Sequence, residues 1–153
     1  MNARAVYCTV SIAEAVTWTL LIVGMFLKYV THTTEVLVRI GGSVHGFAFL
    51  CFVVVTIVTA INARWGTGRT LLGLGSAIIP WATIPFERWA EKKGMLPTHW
   101  RLGRDGETPR TGPEKLLTWV LTHPLISIAI ALVGVSLVFS TLLWLGPPTE
   151  WGQ

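Results

Sequence analysis

The sequence predicts an all-α integral membrane protein with about four transmembrane helices, the third kinked by prolines, and one basic cytoplasmic loop. Of its 153 residues, 52% are hydrophobic and only 13% are charged, whereas soluble domains carry about 25% charged residues. The mean hydropathy is +0.58. Several apolar runs also approach the roughly 20 residues that a helix needs to cross a membrane. These features exclude a disordered tail and a fibrous protein.

Two long apolar runs make up the first part of the chain. Residues 6–30 predict the first span, and the internal acid Glu14 argues against a cleaved signal peptide. Residues 36–61 predict the second span, with Arg39 near its start and His45 inside it. The short polar turn between the runs indicates an antiparallel pair of helices.

Residues 70–86 predict a third span that contains two prolines. Pro80 and Pro85 each lack a backbone N–H group, so we expect them to kink the last turns of this helix.

A basic segment, residues 87–115, follows the third span and holds the polar loop 97–112. Thr111 and Glu114 have the spacing of a capping box, which predicts that a helix begins there. We expect this helix to lie along the membrane interface as far as His123.

Pro124 marks a bend, after which residues 125–145 predict a fourth span. The domain organisation we expect is therefore a three-helix membrane domain in 1–96 and the polar loop 97–112. An interfacial helix and the fourth span then occupy 113–145, and a tail occupies 146–153.

The orientation follows from lysines and arginines, because basic loops stay in the cytoplasm. Four spans place nine of them on one side, in the first and third loops, and three on the other. This count predicts that both termini are outside and that residues 87–115 are cytoplasmic. The nine are Lys28, Arg39, Arg88, Lys92, Lys93, Arg101, Arg104, Arg110 and Lys115, and the three are Arg4, Arg64 and Arg69.

Glu14 is the first candidate functional residue. An acid at the centre of a span costs about 3 kcal/mol on insertion scales, so we expect a partner to offset it. Lys28 lies on the same helix face but roughly 21 Å along the axis, so Arg69 is the expected partner. The functional interpretation is a proton or cation site. The alternative is a buried ion pair or hydrogen bond that fixes helix packing.

His45 is the second candidate. A histidine at this depth could relay a proton, hold a polar lipid head group or ligate haem, or it could simply bond to a neighbouring span. His123 is the only plausible second haem ligand, and we expect no cofactor. The two cysteines, Cys8 and Cys51, lie in apolar runs without metal-ligand spacing, so we also expect no metal.

Small residues in the second and third spans predict close helix packing. Gly42 and Gly46 form a GxxxG pattern, and Gly73 and Ala77 form a similar pair. The pattern fits packing within the chain and docking onto another subunit equally well.

The formal net charge of +4 indicates anionic lipid at residues 87–115, in addition to the bilayer itself. No nucleic-acid recognition motif accompanies the charge, so we expect no nucleic-acid partner. The sequence also lacks a nucleophile elbow, a P-loop and a dinucleotide fingerprint, so we expect no enzyme.

Four motifs together resemble the YdzA-like family of small bacterial integral membrane proteins, a domain of unknown function. The resemblance covers about residues 4–96, and Phe26 stands where the family pattern usually has a proline, which should straighten the end of the first span. It implies a bacterial cytoplasmic membrane protein with three spans, to which the basic loop and fourth span are added, and it brings no reaction. The motifs are Glu14-Ala15, Met25-x-x-Lys28-Tyr29, Arg39-Ile40-Gly41-Gly42-x-x-His45-Gly46 and Ile84-Pro85-Phe86-Glu87-Arg88.

Three functions are compatible with these observations. The first is a non-catalytic accessory subunit of a larger envelope or respiratory membrane complex. The second is a small oligomeric channel or proton-coupled carrier that uses Glu14 and His45. The third is a membrane-embedded enzyme or haem carrier.

Overall fold

The computed structural model describes residues 2–102 and 106–145, so the tail 146–153 and residues 103–105 of the basic segment, with Arg104, lie outside it. All six regular elements of the described residues are helices, which confirms the all-α class. Three stretches of these residues are long and apolar enough to cross a membrane, namely Ala3–Tyr29, Val36–Asn62 and Pro124–Leu142. The helices are α1 (Ala3–Tyr29), α2 (Val36–Asn62), α3 (Thr67–Ser76), α4 (Thr83–Lys92), α5 (Gly112–Thr122) and α6 (Pro124–Leu145).

The first two helices form a tightly packed antiparallel pair. A Cβ atom added to Gly24 would lie 2.7 Å from the backbone of Val38, and one added to Gly41 would lie 3.2 Å from the backbone of Leu20. Only glycine permits such close backbone contact. The crossing point is therefore at Gly24 and Gly41.

The glycines singled out from the sequence have other neighbours. A Cβ atom on Gly46 would meet the ring of Phe139 on α6 at 3.2 Å, whereas one on Gly42 would meet only a leucine side chain at 3.7 Å. One on Gly73 would lie 3.1 Å from a side-chain methyl group of α2. Ala77 is fully buried. These small residues thus position α6 and α3 against α2.

The third expected span is not a continuous helix. α3 ends at Ser76 and α4 begins at Thr83, and each has only 10 residues. Pro80 lies in the intervening turn, where Trp81 adopts a left-handed φ of 60°. Pro85 lies in the first turn of α4. The N–H groups of a first turn have no partner within the helix, so the missing N–H group of this proline costs no helical hydrogen bond. The chain therefore turns back where a kinked span was expected.

Both ends of this α3–α4 hairpin lie at the same end of the bundle. α3 begins shortly after the end of α2, and the last turn of α4 returns to the start of α1. There Glu91 forms an ion pair with Arg4, and Glu87 Oε1 accepts a hydrogen bond from Cys8 Sγ at 3.0 Å. The hairpin thus enters and leaves on one side.

The turn of the hairpin reaches the middle of the first span. Trp18 Nε1 donates to the carbonyl of Ala77 at 3.2 Å, and Trp81 Nε1 donates to Thr19 Oγ1 at 2.9 Å. Thr19 lies about 24 Å from the start of α1, a helix about 40 Å long at 1.5 Å per residue. The hairpin therefore enters the bundle to about half the length of α1 and returns to the same end, and we call it the re-entrant hairpin.

This geometry corrects the expected arrangement of the loops. The sequence count places the N-terminus outside and residues 87–115 in the cytoplasm, which requires opposite ends of the bundle. The Arg4–Glu91 ion pair places them at the same end. The expectation is wrong because a re-entrant hairpin does not change sides. We call this end, with the start of α1, the end of α2 and the described part of residues 87–115, the basic end.

Arg101 holds the polar loop to the end of α2. Its backbone N–H group donates to Asn62 Oδ1 at 2.8 Å. Its guanidinium donates to the carbonyls of Asn62 and Ile61, at 2.8 and 3.2 Å. The last carbonyls of a helix have no partners within it. Arg101 therefore caps α2.

Two carboxylates complete an ionic cluster at this position. Glu114 accepts from Arg101 at 2.7 Å and from Arg64 at 3.2 Å, and Glu107 lies within 3.2 Å of both arginines. The backbone N–H of Arg110 also donates to Glu114, at 2.7 Å. This hydrogen bond and the arginines lower the pKa of Glu114 to about 2. The cluster joins the polar loop, α2 and α5.

The expected start of the interfacial helix agrees with the structure. Thr111 is the N-cap of α5, and its hydroxyl accepts from the backbone N–H of Glu114 at 3.4 Å. α5 ends at Thr122, and Pro124 is the first residue of α6. The bend expected at this proline is therefore the junction between two helices.

Candidate intramembrane polar site

Glu14 lies on the face of α1 that packs against α4. Its side chain is fully buried, with 0% exposure. Oε2 lies 2.8 Å from the hydroxyl of Thr83, whereas Oε1 has no hydrogen-bond partner among the described residues. Thr83 is the first residue of α4, so the break in the hairpin brings this hydroxyl to the carboxyl group.

A second acceptor lies beside the same hydroxyl. Thr83 Oγ1 is 3.3 Å from the backbone carbonyl of Ser11, which is one turn of α1 before Glu14. The Ser11 hydroxyl itself donates to the carbonyl of Tyr7 at 3.0 Å, so it does not reach Glu14. The carboxyl group therefore lies beside one hydroxyl, one carbonyl, the side chain of Trp18 and apolar atoms.

Arg69, the expected partner of Glu14, is not its partner. It lies in the first turn of α3, is exposed, and forms no ion pair with any described residue. α3 starts at the basic end, whereas Glu14 lies about 16 Å from the start of α1 by helical rise. Arg69 therefore stays near the membrane surface, and a threonine replaces it as the partner.

Two other candidates, Lys28 and Arg39, lie at the opposite end of the bundle. Lys28 Nζ is 3.6 Å from Glu35 and 5.3 Å from the ring centre of Tyr29. Arg39 is exposed in the first turns of α2. Neither contributes to the surroundings of Glu14.

His45 is connected to Glu14 through Thr17. The Thr17 hydroxyl donates to the backbone carbonyl of Glu14 at 2.9 Å and lies 3.1 Å from His45 Nδ1. Because a hydroxyl has one hydrogen, Nδ1 is the donor in the second contact. The His45 ring is 8% exposed and packs on Trp18, with centroids 4.3 Å apart. The two candidates thus share one neighbour but do not touch through their side chains.

The expected second haem ligand, His123, lies far from His45. Its ring stacks on Trp119 at the α5–α6 junction, at the basic end. His45 precedes the end of α2 by 17 residues, or about 25 Å by helical rise. The two imidazoles therefore lie at different depths and cannot share one haem. Within the described ranges, no group of three or more metal-ligating side chains is present.

The residues missed by the sequence interpretation are Thr83, Ser11 and Thr17. Ser11 shares a helical stripe with Glu14, and that periodicity is readable from the sequence. The role of Thr83 is not readable from the sequence, because this residue reaches Glu14 only when the chain turns back near Pro80. This arrangement can hold a proton on the carboxyl group of Glu14, which no described cation neutralises.

The fold and the buried acid define a helical integral membrane protein. The chain belongs to the family described as "Domain of unknown function (DUF3817)", whose model matches residues 4–92. This match confirms the resemblance to a family of small membrane proteins whose function is unknown. The matched residues contain α1, α2 and the re-entrant hairpin, including Glu14, His45 and Thr83.

A relative in Streptomyces coelicolor, described as a membrane protein, is 47% identical over 89 residues. These residues are 58% of this chain and 10% of the relative, so the chain spans about a tenth of that protein's length. No solved structure matches the chain.

Proposed function

We propose that this protein is a non-catalytic accessory subunit of a larger bacterial membrane complex. The observation that carries the proposal is the exposed tip of the re-entrant hairpin, residues 77–82. Ile78, Ile79 and Trp81 are 69%, 62% and 48% exposed. The tip lies at the depth of Thr19, near the middle of the first span.

Irregular backbone at this depth does not face lipid. The hydrocarbon core offers no hydrogen-bond partners, so non-helical segments occur there only against protein or along a water-filled cavity. α1 covers one side of the tip, through Trp18 and Thr19. A second membrane protein that covers the other side would complete the enclosure.

The comparison with the relative also supports this proposal. The stretch that aligns with this chain is only 10% of the Streptomyces protein. In that relative, a similar membrane domain thus occurs beside much additional protein, as expected of a domain that acts together with other domains.

The test is a photo-crosslinking amino acid placed at Ile79, in native membranes. We expect crosslinks to a distinct protein, identified by mass spectrometry and co-purified in mild detergent. Leu132, which is exposed on α6, is the matched control and should give fewer crosslinks. Purification of the chain alone, with no crosslink from Ile79, would contradict the proposal. Crosslinks only between copies of this chain would favour the oligomer described next.

A second candidate is a small oligomeric channel or proton-coupled carrier that uses Glu14 and His45. The observation that favours it is the fully buried carboxyl group of Glu14, with one oxygen unpartnered. The test is proton flux into vesicles that contain the purified protein and an internal pH indicator. We expect Glu14→Gln to abolish the flux while the amount of folded protein is unchanged. Equal flux in the variant would exclude this role.

The location that we propose is the bacterial inner membrane, with the basic end in the cytoplasm. Nine of the described lysines and arginines lie at the basic end, and only Lys28 and Arg39 lie at the other. Basic segments stay in the cytoplasm. The N-terminus is then inside and the end of α6 outside. The nine are Arg4, Arg64, Arg69, Arg88, Lys92, Lys93, Arg101, Arg110 and Lys115.

The same charges support anionic lipid as a partner of residues 87–115. Arg88, Lys92, Lys93, Arg110 and Lys115 are all exposed. Each basic residue near an anionic surface contributes about 1 kcal/mol of attraction.

A further inference from the structure

If the carboxyl group of Glu14 is ionised, three oxygen atoms at this site share only one hydrogen for their hydrogen bonds. Thr83 Oγ1 lies 2.8 Å from Glu14 Oε2 and 3.3 Å from the carbonyl oxygen of Ser11. An ionised carboxylate and a carbonyl only accept hydrogen bonds, and a threonine hydroxyl has one hydrogen to donate. With Glu14 ionised, one hydrogen serves two acceptors, so at most one of the two contacts is a well-directed hydrogen bond.

A proton on Glu14 satisfies both contacts. Oε2–H then donates to Thr83 Oγ1, and Thr83 donates its own hydrogen to the carbonyl of Ser11. The remaining carboxyl oxygen, Oε1, has no hydrogen-bond partner among the described residues, because the nearby Trp18 Nε1 donates to the carbonyl of Ala77 at 3.2 Å. An unpartnered oxygen in a neutral acid is far less costly than one in a buried carboxylate.

The charged and titratable neighbours do not neutralise a carboxylate at this position. On α1, Tyr7 and Cys8 lie towards the basic end, and Cys8 donates to Glu87 on α4. On α2, His45 contacts Thr17 rather than the carboxyl group. On α3, the charged residue is Arg69, which is exposed. No described lysine or arginine is ion-paired with Glu14.

We propose that Glu14 is a proton-binding site inside the membrane, which holds its proton in the resting state through the hydrogen bond to Thr83. The ligand is the proton itself. The inference goes beyond the accessory-subunit proposal. It shares its site with the carrier candidate but does not require transport, because a protonated Glu14 in a protein without proton flux would support the site and exclude the carrier.

The first test uses dicyclohexylcarbodiimide, an apolar reagent that partitions into membranes. A protonated carboxyl group adds across its C=N bond: the acid proton moves to a nitrogen, the carboxylate oxygen bonds to the central carbon, and rearrangement gives a stable N-acylurea without a leaving group. We expect mass spectrometry of the full chain in vesicles to find Glu14 labelled, the exposed Glu35 unlabelled and the label on Glu14 lost as the pH is raised. An unlabelled Glu14 in the folded protein, with labelling after denaturation, would overturn the proposal.

The second test is infrared difference spectroscopy of the native protein against Glu14→Gln. We expect the native protein to show the C=O band of a protonated carboxylic acid, shifted in heavy water, and no carboxylate band from Glu14. Thr83→Val removes the hydrogen-bond partner and should shift this band, whereas Thr83→Ser should leave it in place. A carboxylate band from Glu14 in the native protein would overturn the proposal.

Discussion

At the scale of single residues, the close backbone contact between α1 and α2 depends on Gly24. A Cβ atom at this position would lie 2.7 Å from Val38 Cα and equally close to its backbone nitrogen. Backbone atoms cannot rotate away as a side chain can, so Gly24→Ala must push α1 and α2 apart. Over-packing of this kind destabilises proteins by about 1–3 kcal/mol.

We therefore predict a clear loss of stability for Gly24→Ala, measured as the unfolding midpoint in detergent. Gly134→Ala on α6 is the matched control, because a Cβ atom there meets nothing within 4 Å. It should be neutral or slightly stabilising, since alanine is favoured over glycine in a helix by about 1 kcal/mol. Equal stability of the two variants would show that the α1–α2 crossing is looser than described.

The sequence alone identifies Glu14 and His45 as unusual residues, but it does not show what they contact. An acidic residue in an apolar run is visible in the sequence, and its depth in the span follows from the helical rise per residue. Its partner is not visible, because Thr83 is an ordinary residue 69 positions away. Charge complementarity suggested Arg69 as the partner of Glu14, and that inference fails because the short helix α3 holds the arginine at the surface.

At the scale of helices, hydropathy cannot distinguish a span from a re-entrant hairpin. Residues 70–86 are apolar enough to suggest a membrane helix, and Pro80 lies in the turn that interrupts it between Ser76 and Thr83. Whether the chain continues or turns back depends on contacts with α1, such as the hydrogen bond from Trp81 to Thr19. The boundaries of α1, α2 and α5, by contrast, agree with the sequence to within a few residues, since long apolar periodicity and capping chemistry are local signals.

The junction of α2, α5 and the polar loop should be sensitive to acid. The pKa of Glu114 is lowered to about 2 from 4.5, so its ionised form stabilises the folded protein above pH 4.5. That contribution falls as the pH decreases from 4.5 towards 2, because in this range the unfolded state binds a proton that the folded state does not. We predict that Glu114→Gln is less stable than the native protein at neutral pH and equally stable near pH 2.

The measurement is the unfolding midpoint of both proteins in detergent across this pH range. Glu107→Gln is the control: its side chain is 52% exposed, whereas that of Glu114 is 7% exposed, so solvent screens its ion pairs. Its effect on stability should be smaller at every pH. A Glu114→Gln difference that does not change with pH would contradict the assignment of the ionic cluster as the origin of this stability.

At the scale of the whole molecule, the re-entrant hairpin determines which loops share a side. Four spans would put residue 33, in the first loop, on the same side as residue 93, after α4. Three spans and a hairpin put these residues on opposite sides, with residue 93 at the basic end. The two arrangements therefore differ in one observable, which is whether both positions have the same accessibility.

We predict that Thr33→Cys is labelled in intact cells by a membrane-impermeant thiol reagent and that Lys93→Cys is labelled only after the membrane is opened. Thr33 is exposed between α1 and α2, and Lys93 is exposed beyond the last turn of α4. The native Cys8 and Cys51 are only partly exposed within membrane helices, and the unaltered chain gives their background. Protection of both introduced cysteines would restore a four-span arrangement and contradict the hairpin. Labelling of Lys93→Cys alone would keep the hairpin but reverse the proposed orientation, because the nine basic residues would then face outwards.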